Sequence, residues 1–388
     1  MLNYEFPPLG GGAGNATLEL VRALGSVHDL EVVVVTSSVA GYEVKRNTLT
    51  PNSVIHYLPI GKEGGNIHYQ TDAELVRYII RCRSFLNNLL RTEAFDLCHA
   101  NMTLPAGLNA WVVRKTMPYI VSLQGSDVPG YSRRFSLAYK VLTPIICKIW
   151  RDSRGVVSNS AGLRDLALRA APQQPIAVMP NGVDRKLFTP EENTVEEPEK
   201  LRVICVGRLI ERKGVWELLE AMPRVLRSIP NAHLDLAGGG ILERPLREKL
   251  ERDGLRDHVT LHGNVPHAQL PMLLHGASLF ALPSHAEGMS NALLEAISCG
   301  LPVVITDTGG TRELFEDNGL IVPQRDPEAL ARAIVQILSD PQRRAAMRQA
   351  SLRVAERYSW ETMGAQYLDY YRAVKRGAIA GTAPSASS

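Results

Sequence analysis

The 388-residue chain has no apolar run long enough to span a bilayer, so no transmembrane helix is expected. Its start, MLNYEFPPLGGG, lacks the basic segment and long apolar core of a signal peptide. No Asp-x-Asp pair occurs, and no His, Cys and carboxylate cluster has metal-ligand spacing. A metal-held diphosphate is therefore not expected; cationic side chains and helix dipoles have to do that work. The five cysteines (Cys82, Cys98, Cys147, Cys205, Cys299) are scattered and odd in number, which points to reduced thiols in a cytoplasmic protein. A large charge excess is missing too. Net charge is +3, with 18 Lys+Arg against 13 Asp+Glu in residues 1–180 and 25 against 27 in the remainder. That balance argues against nucleic acid as a partner. The more basic first half fits an anionic acceptor or a membrane surface, although a solvated basic face is the simpler account.

What is present is an ordinary globular composition, 45% hydrophobic and 21% charged, in a chain long enough for two full cores. Glu31–Thr36 (EVVVVT) reads as a buried parallel strand. Phe95–Ala100, Pro118–Leu123, Gly155–Ser158 and Ile176–Met179 read as further strands, with a helix at Ala73–Arg91 among them. The pattern restarts at Leu201–Val206 and continues through His233–Ala237, Val259–His262, Ser278–Leu282 and Pro302–Ile305. Strands alternating with helices predict an α/β chain with a doubly wound parallel sheet in each half. Met1–Tyr4 looks like the stub of a first strand. Thr189–Lys200, with two prolines and five acidic residues, reads as a linker between domains 1–188 and 201–359. Residues 375–388 are small and polar, and are expected to be disordered.

The segment Glu287–Glu295 (EGMSNALLE) carries the most chemistry. Gly288 permits close backbone approach to a ligand, and Ser290 or Asn291 can cap the helix that follows. The free amides of a helix start suit sugar hydroxyls or phosphate oxygens, and Glu295 lies one turn in, facing the same pocket. Gly207-Arg208-Leu209-Ile210-Glu211-Arg212-Lys213-Gly214 follows a strand, where Arg208 and Lys213 can hold phosphate; an ordinary charged surface loop is the alternative. Gly238–Gly240, Gly263-Asn264-Val265 and Asp307–Thr311 add glycine turns at other strand ends, and main-chain groups near Gly263 and Val265 can read a base edge. In the first half, Gly10–Gly14 precedes a helix but lacks the dinucleotide fingerprint. His99 closes one strand as a general base or a structural residue, and Asp127 closes another as a hydroxyl ligand or a helix cap. His267, His275 and His285 are read as structural.

Together these residues resemble the family-4 glycosyltransferases, from about Tyr4 to Tyr371. The most specific matches are the glutamates Glu287 and Glu295, the Gly207-Arg208…Lys213-Gly214 segment, and Met179-Pro180-Asn181-Gly182-Val183-Asp184 followed by Phe188 and Pro190. Gly10-Gly11-Gly12 and Leu123–Val128 are also similar. The resemblance implies a GT-B fold, two Rossmann-like domains facing across a cleft, with a final helix near 360–374 packing back on the first. It implies a retaining, metal-independent, front-face transfer from a UDP- or GDP-sugar co-substrate, without a cofactor, to a glycan, lipid-linked or small-molecule hydroxyl, as in building cell-envelope polysaccharide. Arg208 and Lys213 would neutralise the diphosphate, with Glu287 on the sugar, helped by Gly288, Met289, Ser290 and Asn291. Glu295 would bind the ribose. Gly11, Gly12, Gln124, Asp127 and His99 would serve acceptor or phosphate. Many relatives have His where this chain has Gln124, and a Gln cannot titrate.

The stretch Tyr131–Arg154, six cations against one Asp with apolar residues interleaved, is either a peripheral membrane face or, more simply, a core helix with solvated charges. Competing functions are a sugar-nucleotide epimerase, a phosphorylase and a non-catalytic nucleotide-sugar-binding protein. The missing fingerprint argues against a dehydrogenase.

Overall fold

The computed structural model describes residues 1–39, 45–62, 70–131, 136–191 and 200–377. The expected linker falls largely on 192–199 and the expected tail on 378–388, outside the described residues, as does part of the basic stretch, 132–135. The chain divides into two units, Met1–Gly182 with Trp360–Ser388, and Val183–Ser359. The boundary therefore falls six residues before the one expected at 188. Val183 and Phe188 are buried in the core of the second unit, and Asp184 Oδ1 accepts from the amides of Lys186 and Leu187 to turn the chain into it.

The first unit contains β1 (Val32–Ser38), β2 (Lys45–Thr48), β3 (Ser53–Pro59), β4 (Cys98–Asn101), β5 (Tyr119–Leu123), β6 (Gly155–Ser158) and β7 (Ile176–Val178). Its helices are α1 (Gly12–Ala23), α2 (Asp72–Thr92), α3 (Leu108–Val112), α4 (Ser136–Arg151) and α5 (Ala161–Ala170), joined by Trp360–Lys375 from the far end of the sequence. The strands form ladders β1-β3-β2 and β4-β5-β6-β7. The expected first strand is a single residue, Leu2, which bridges both Val35 and Ala100 and joins the two ladders. One correction concerns direction: β2 runs antiparallel to β3, so this sheet is not parallel throughout. The valine run of β1 is explained by burial on both faces. Val32 and Val34 pack with Phe6, Val21 and Ile55, while Val35 packs with Leu58 and Tyr78. Helix α2 starts in a capping box, Thr71 with Glu74, and buries Tyr78, Cys82 and Leu86 at four-residue spacing.

The second unit holds β8 (Leu201–Val206), β9 (Ala232–Ala237), β10 (Val259–Gly263), β11 (Leu279–Leu282), β12 (Val303–Thr306) and β13 (Gly319–Val322). Helices α6 (Val215–Ser228), α7 (Glu243–Arg252), α8 (Leu270–His275), α9 (Asn291–Ser298), α10 (Pro327–Leu338) and α11 (Pro341–Ala355) cover both faces. All strands are parallel, in the order β10-β9-β8-β11-β12-β13. Helices α6, α7 and α10 supply the core on one face, and α8 and α9 supply that on the other. This is a doubly wound sheet, and its strand order reverses between β8 and β11. Ligands bind outside the carboxyl ends of such strands, at the point of reversal.

Candidate active site

The two most informative segments of the sequence meet at that reversal. Gly207–Gly214 leaves β8 and Ser284–Gly288 leaves β11. A short 3-10 turn, Glu211–Lys213, brings Lys213 beside the β11 loop. Lys213 Nζ lies 2.7 Å from Glu287 Oε1, and Arg212 Nη1 lies 3.8 Å from Glu287 Oε2. Ser284 Oγ donates to Glu287 Oε1 at 2.7 Å. Glu287 is only 7% exposed. Burial raises a carboxyl's pKa, but here the charges of Lys213 and Arg212, with hydrogen bonds from Lys213 and Ser284, more than offset it. The Glu287 pKa therefore lies below its ordinary value and the side chain is a carboxylate.

The two loops are tied by more than this pair. Arg212 Nη1 donates to Ala286 O, and the His285 amide donates to Arg212 O at 2.8 Å. His285 Nε2 lies 2.7 Å from Glu217 Oε1 on α6. His285 thus has a definite partner, which sequence spacing did not reveal. His275 also has one, the Thr189 carbonyl at 2.8 Å. Arg208 follows Gly207 on the same turn, where the Leu209 amide donates to Gly239 O on the β9 loop. At Gly238 (φ 140°) a Cβ would sit 2.0 Å from Gly207 O, so these two strand ends approach as only glycine permits.

Ser290 caps α9, its Oγ accepting from the Leu293 amide at 3.3 Å. Gly288, Met289, Ser290 and Asn291 therefore form the loop and first position of a helix that starts at the same rim. Glu295 is buried one turn into α9, and its Oε1 lies 2.8 Å from His267 Nε2. His267 opens a short turn after β10, just past Gly263 (φ 64°) and Val265. The second unit thus gathers Arg208, Lys213, Glu287, Gly288–Asn291, Glu295, Gly263 and Val265 at the carboxyl edge of one sheet. Among the described residues, no group of three or more His, Cys, Asp or Glu is placed to hold a metal ion.

The remaining candidates belong to the first unit, and the structure gives several of them other work. The Gly11 amide, next to Gly12 at the start of α1, donates to Glu5 Oε2 at 3.3 Å. A carboxylate of the chain itself faces the helix start where phosphate was expected. Asp127 is buried and fully engaged. Its Oδ1 accepts from the Gln124 and Gly125 amides, and its Oδ2 accepts from the amide and hydroxyl of Thr103. It therefore pins the loop after β5 rather than serving as an acceptor ligand. Burial raises its pKa against those backbone hydrogen bonds. His99 is buried as well, with Nδ1 2.7 Å from Tyr371 Oη and Nε2 2.6 Å from Ser122 Oγ. Burial pushes its pKa down to about 3, so the ring is neutral and locks β4 to the helix Trp360–Lys375. The general-base reading of His99 is set aside on these contacts. Gln124 stays half-buried, and its Oε1 accepts from Asn159 Nδ2 at 3.3 Å. All five cysteines are free, and burial raises the thiols of Cys82, Cys205 and Cys299 to about 12.

Comparison with known proteins agrees with the fold. The model "Glycosyl transferases group 1" matches residues 189–354, and "Glycosyltransferase Family 4" matches residues 10–187. A D-inositol 3-phosphate glycosyltransferase of Segniliparus rotundus is 35% identical over 54% of this chain and 49% of its own length. A GDP-mannose-dependent phosphatidylinositol monomannoside mannosyltransferase of Mycobacterium tuberculosis is 32% identical over 52% and 57%. The chain thus spans about half the length of these curated relatives. An uncharacterised glycosyltransferase of Methanocaldococcus jannaschii is 26% identical over 96% and 97%. Among solved structures, the sucrose-phosphate synthase of Thermosynechococcus elongatus superposes with a TM-score of 0.82 at 23% identity, over 96% of this chain and 97% of that one. Anabaena HepE, solved with UDP and glucose, gives 0.73 at 18% identity, over 96% and 98%. The chain belongs to glycosyltransferase family 4 and carries the GT-B fold.

Proposed function

We propose that this protein is a retaining hexosyltransferase that moves a sugar from a nucleoside-diphosphate sugar to an acceptor hydroxyl, with no resident metal. The observation that carries the proposal is the buried Lys213–Glu287 pair, with Arg212, at the strand-order reversal. Breaking a glycosyl–phosphate bond develops negative charge on the departing diphosphate and positive charge on the sugar. Preorganised cations aimed at the former are often the largest catalytic term. Arg208 and Lys213 serve that end, and Glu287 holds hydroxyls of the transferred sugar. Because Lys213 is already anchored by Glu287, little reorganisation is needed when the diphosphate arrives. Retention follows from front-face attack, the leaving phosphate oxygen taking the acceptor's proton, so no carboxylate nucleophile is invoked. The named relatives that use GDP-mannose, and the HepE structures with UDP and UDP-glucose, support a nucleotide-sugar donor with either base.

The test is ligand-induced thermal shift with UDP- and GDP-sugars. One donor is expected to raise Tm, and Glu295→Ala or Arg208→Ala is expected to remove most of that rise. Unchanged shifts in both variants would overturn the assignment of the donor site.

The acceptor reading includes peripheral contact with the cytoplasmic face of a membrane, where lipid-linked acceptors lie. Among the described residues no helix is long and apolar enough to cross a membrane. Helix α4 buries Tyr139, Ile146, Ile149 and Trp150, yet leaves Leu137 79% and Val141 77% exposed. Those two are neighbours at i,i+4; Lys140 adjoins Val141, and Lys148 lies two turns further along the helix, 3.4 Å from Asp152. Exposed apolar side chains flanked by cations suit an anionic bilayer surface. Co-sedimentation with phosphatidylglycerol vesicles is expected, and Leu137→Ser with Val141→Ser is expected to weaken it several-fold. Equal sedimentation of the double variant would rule this face out.

A further inference from the structure

We infer that His267 is the positioning residue that aims Glu295 at the ribose, and so sets discrimination between ribo- and deoxyribonucleotides. The inference deepens the donor-site reading above and rests on it. Glu295 is buried in the first turns of α9, where a carboxylate needs fixed donors to keep one orientation. His267 Nε2, 2.8 Å from Glu295 Oε1, is such a donor. For this bond the ring must carry a proton on Nε2, since a carboxylate can only accept.

The histidine is itself held in place. The Phe188 ring packs edge-on against it, with centroids 5.2 Å apart and planes at 61°. Phe188 is buried, and its carbonyl accepts from Ser298 Oγ on α9 at 2.6 Å. A contact chain therefore runs from Phe188 to His267 to Glu295, and Phe188 is tied back to the helix that carries Glu295. This gives Phe188, which follows the Pro180–Asp184 motif, a role that the motif alone did not suggest.

A pair of vicinal hydroxyls donates best to a carboxylate whose plane is fixed. With one oxygen tethered by His267, Glu295 presents its remaining lone pairs in one direction. A 2′-deoxy nucleotide loses one donor and leaves a buried acceptor unpaired, which is a strong basis for rejection. If Glu295 is free to turn, water or the carboxylate itself can compensate, and the distinction shrinks. The half-exposed His267 side chain costs little to replace, so its substitution should not prevent folding.

The experiment is calorimetric titration of the full chain with UDP, GDP and their 2′-deoxy forms, repeated on His267→Ala, His267→Gln and Glu295→Ala. For whichever ribonucleotide binds the wild type more tightly, His267→Ala is expected to weaken affinity about tenfold. The ribo-to-deoxy ratio is expected to fall towards that of Glu295→Ala. His267→Gln, whose amide can also donate, is expected to restore most of both. In transfer assays His267→Ala should raise the donor KM with kcat nearly unchanged. If Glu295→Ala weakens binding and lowers the ratio while His267→Ala does neither, the role of His267 is overturned and the donor site stands. Failure of His267→Gln to restore the ratio also counts against it. If Glu295→Ala changes neither quantity, or neither nucleotide binds the wild type, the donor-site reading itself falls.

Discussion

Lys213→Met is expected to lower the rate of sugar transfer by about 10²–10³-fold, the loss typical when one preorganised charge-stabilising group is removed. The side chain is nearly buried, so water cannot readily replace its charge. The variant should also be less stable. It leaves the buried Glu287 carboxylate with Ser284 Oγ at 2.7 Å and Arg212 at 3.8 Å. Breaking one partner of a buried pair costs about 3–5 kcal/mol, and the remaining partners place this case at the low end. The sign with pH can be worked out. In the wild type the Glu287 pKa is depressed, so its stabilisation is present above the ordinary value of 4.5 and is lost as pH falls through the folded one. In Lys213→Met that depression shrinks, and the stability difference between the two proteins should narrow in acid. The double variant Lys213→Met/Glu287→Gln separates the effects. Its melting temperature should recover towards the wild type, because no carboxylate is left unpaired, while transfer stays impaired. Steady-state kinetics within a few-fold of the wild type for the single variant would refute the catalytic role of Lys213.

Gly214→Ala should be among the most disruptive small changes in the second unit. Gly214 ends the 3-10 turn and opens α6 at φ 69°. A Cβ there would lie 2.1 Å from Pro283 O and 2.7 Å from Pro283 C, both backbone atoms. The left-handed conformation costs an alanine about 1–2 kcal/mol and overpacking typically adds about 1–3 kcal/mol, for a Tm lower by roughly 5–15 °C. The site suffers with the fold. Pro283 precedes Ser284, whose hydroxyl bonds Glu287, so a shift of Pro283 moves the Glu287 carboxylate. Donor affinity should therefore fall together with Tm. Gly254→Ala is the control. It has nearly the same φ, 68°, but nothing lies within 4 Å of its Cβ position, so only the backbone strain remains. Equal melting temperatures for the two alanine variants would show that the Pro283 contact yields at no cost.

Much of the architecture was legible because buried parallel strands announce themselves. The valines of β1 and Val203–Val206 of β8 are apolar on both faces, as a strand buried between two layers of helices needs. Three strands escaped notice: β3, seven residues between β1 and β2 whose apolar pattern is interrupted by His56, and two short ones at an edge. β2 (Lys45–Thr48) is polar and pairs antiparallel on one side, and β13 has four residues at the end of its sheet. The donor-side candidates could be read because each follows a strand directly, and the parallel order then carries them to one rim. The polar residues of the first unit were harder. Whether His99 or Asp127 is a ligand or a pin depends on partners remote in sequence. Tyr371 lies 272 residues from His99, and Thr103 lies 24 from Asp127. Glu5 and His267 were passed over for the same reason. Nothing in their local spacing shows that one meets the start of α1 and the other meets Glu295.

The return of Trp360–Lys375 to the first unit has a consequence for how the polypeptide is made. Once a ribosome has passed Ser359, every residue of the second unit has been synthesised, whereas the first still waits for the tyrosines that close over His99 and Ser122. During that interval Leu20, Ile120 and Val157, which Trp360, Met363, Tyr367 and Tyr370 later cover, remain open to water or to a chaperone. The part that begins first is therefore the part that finishes last.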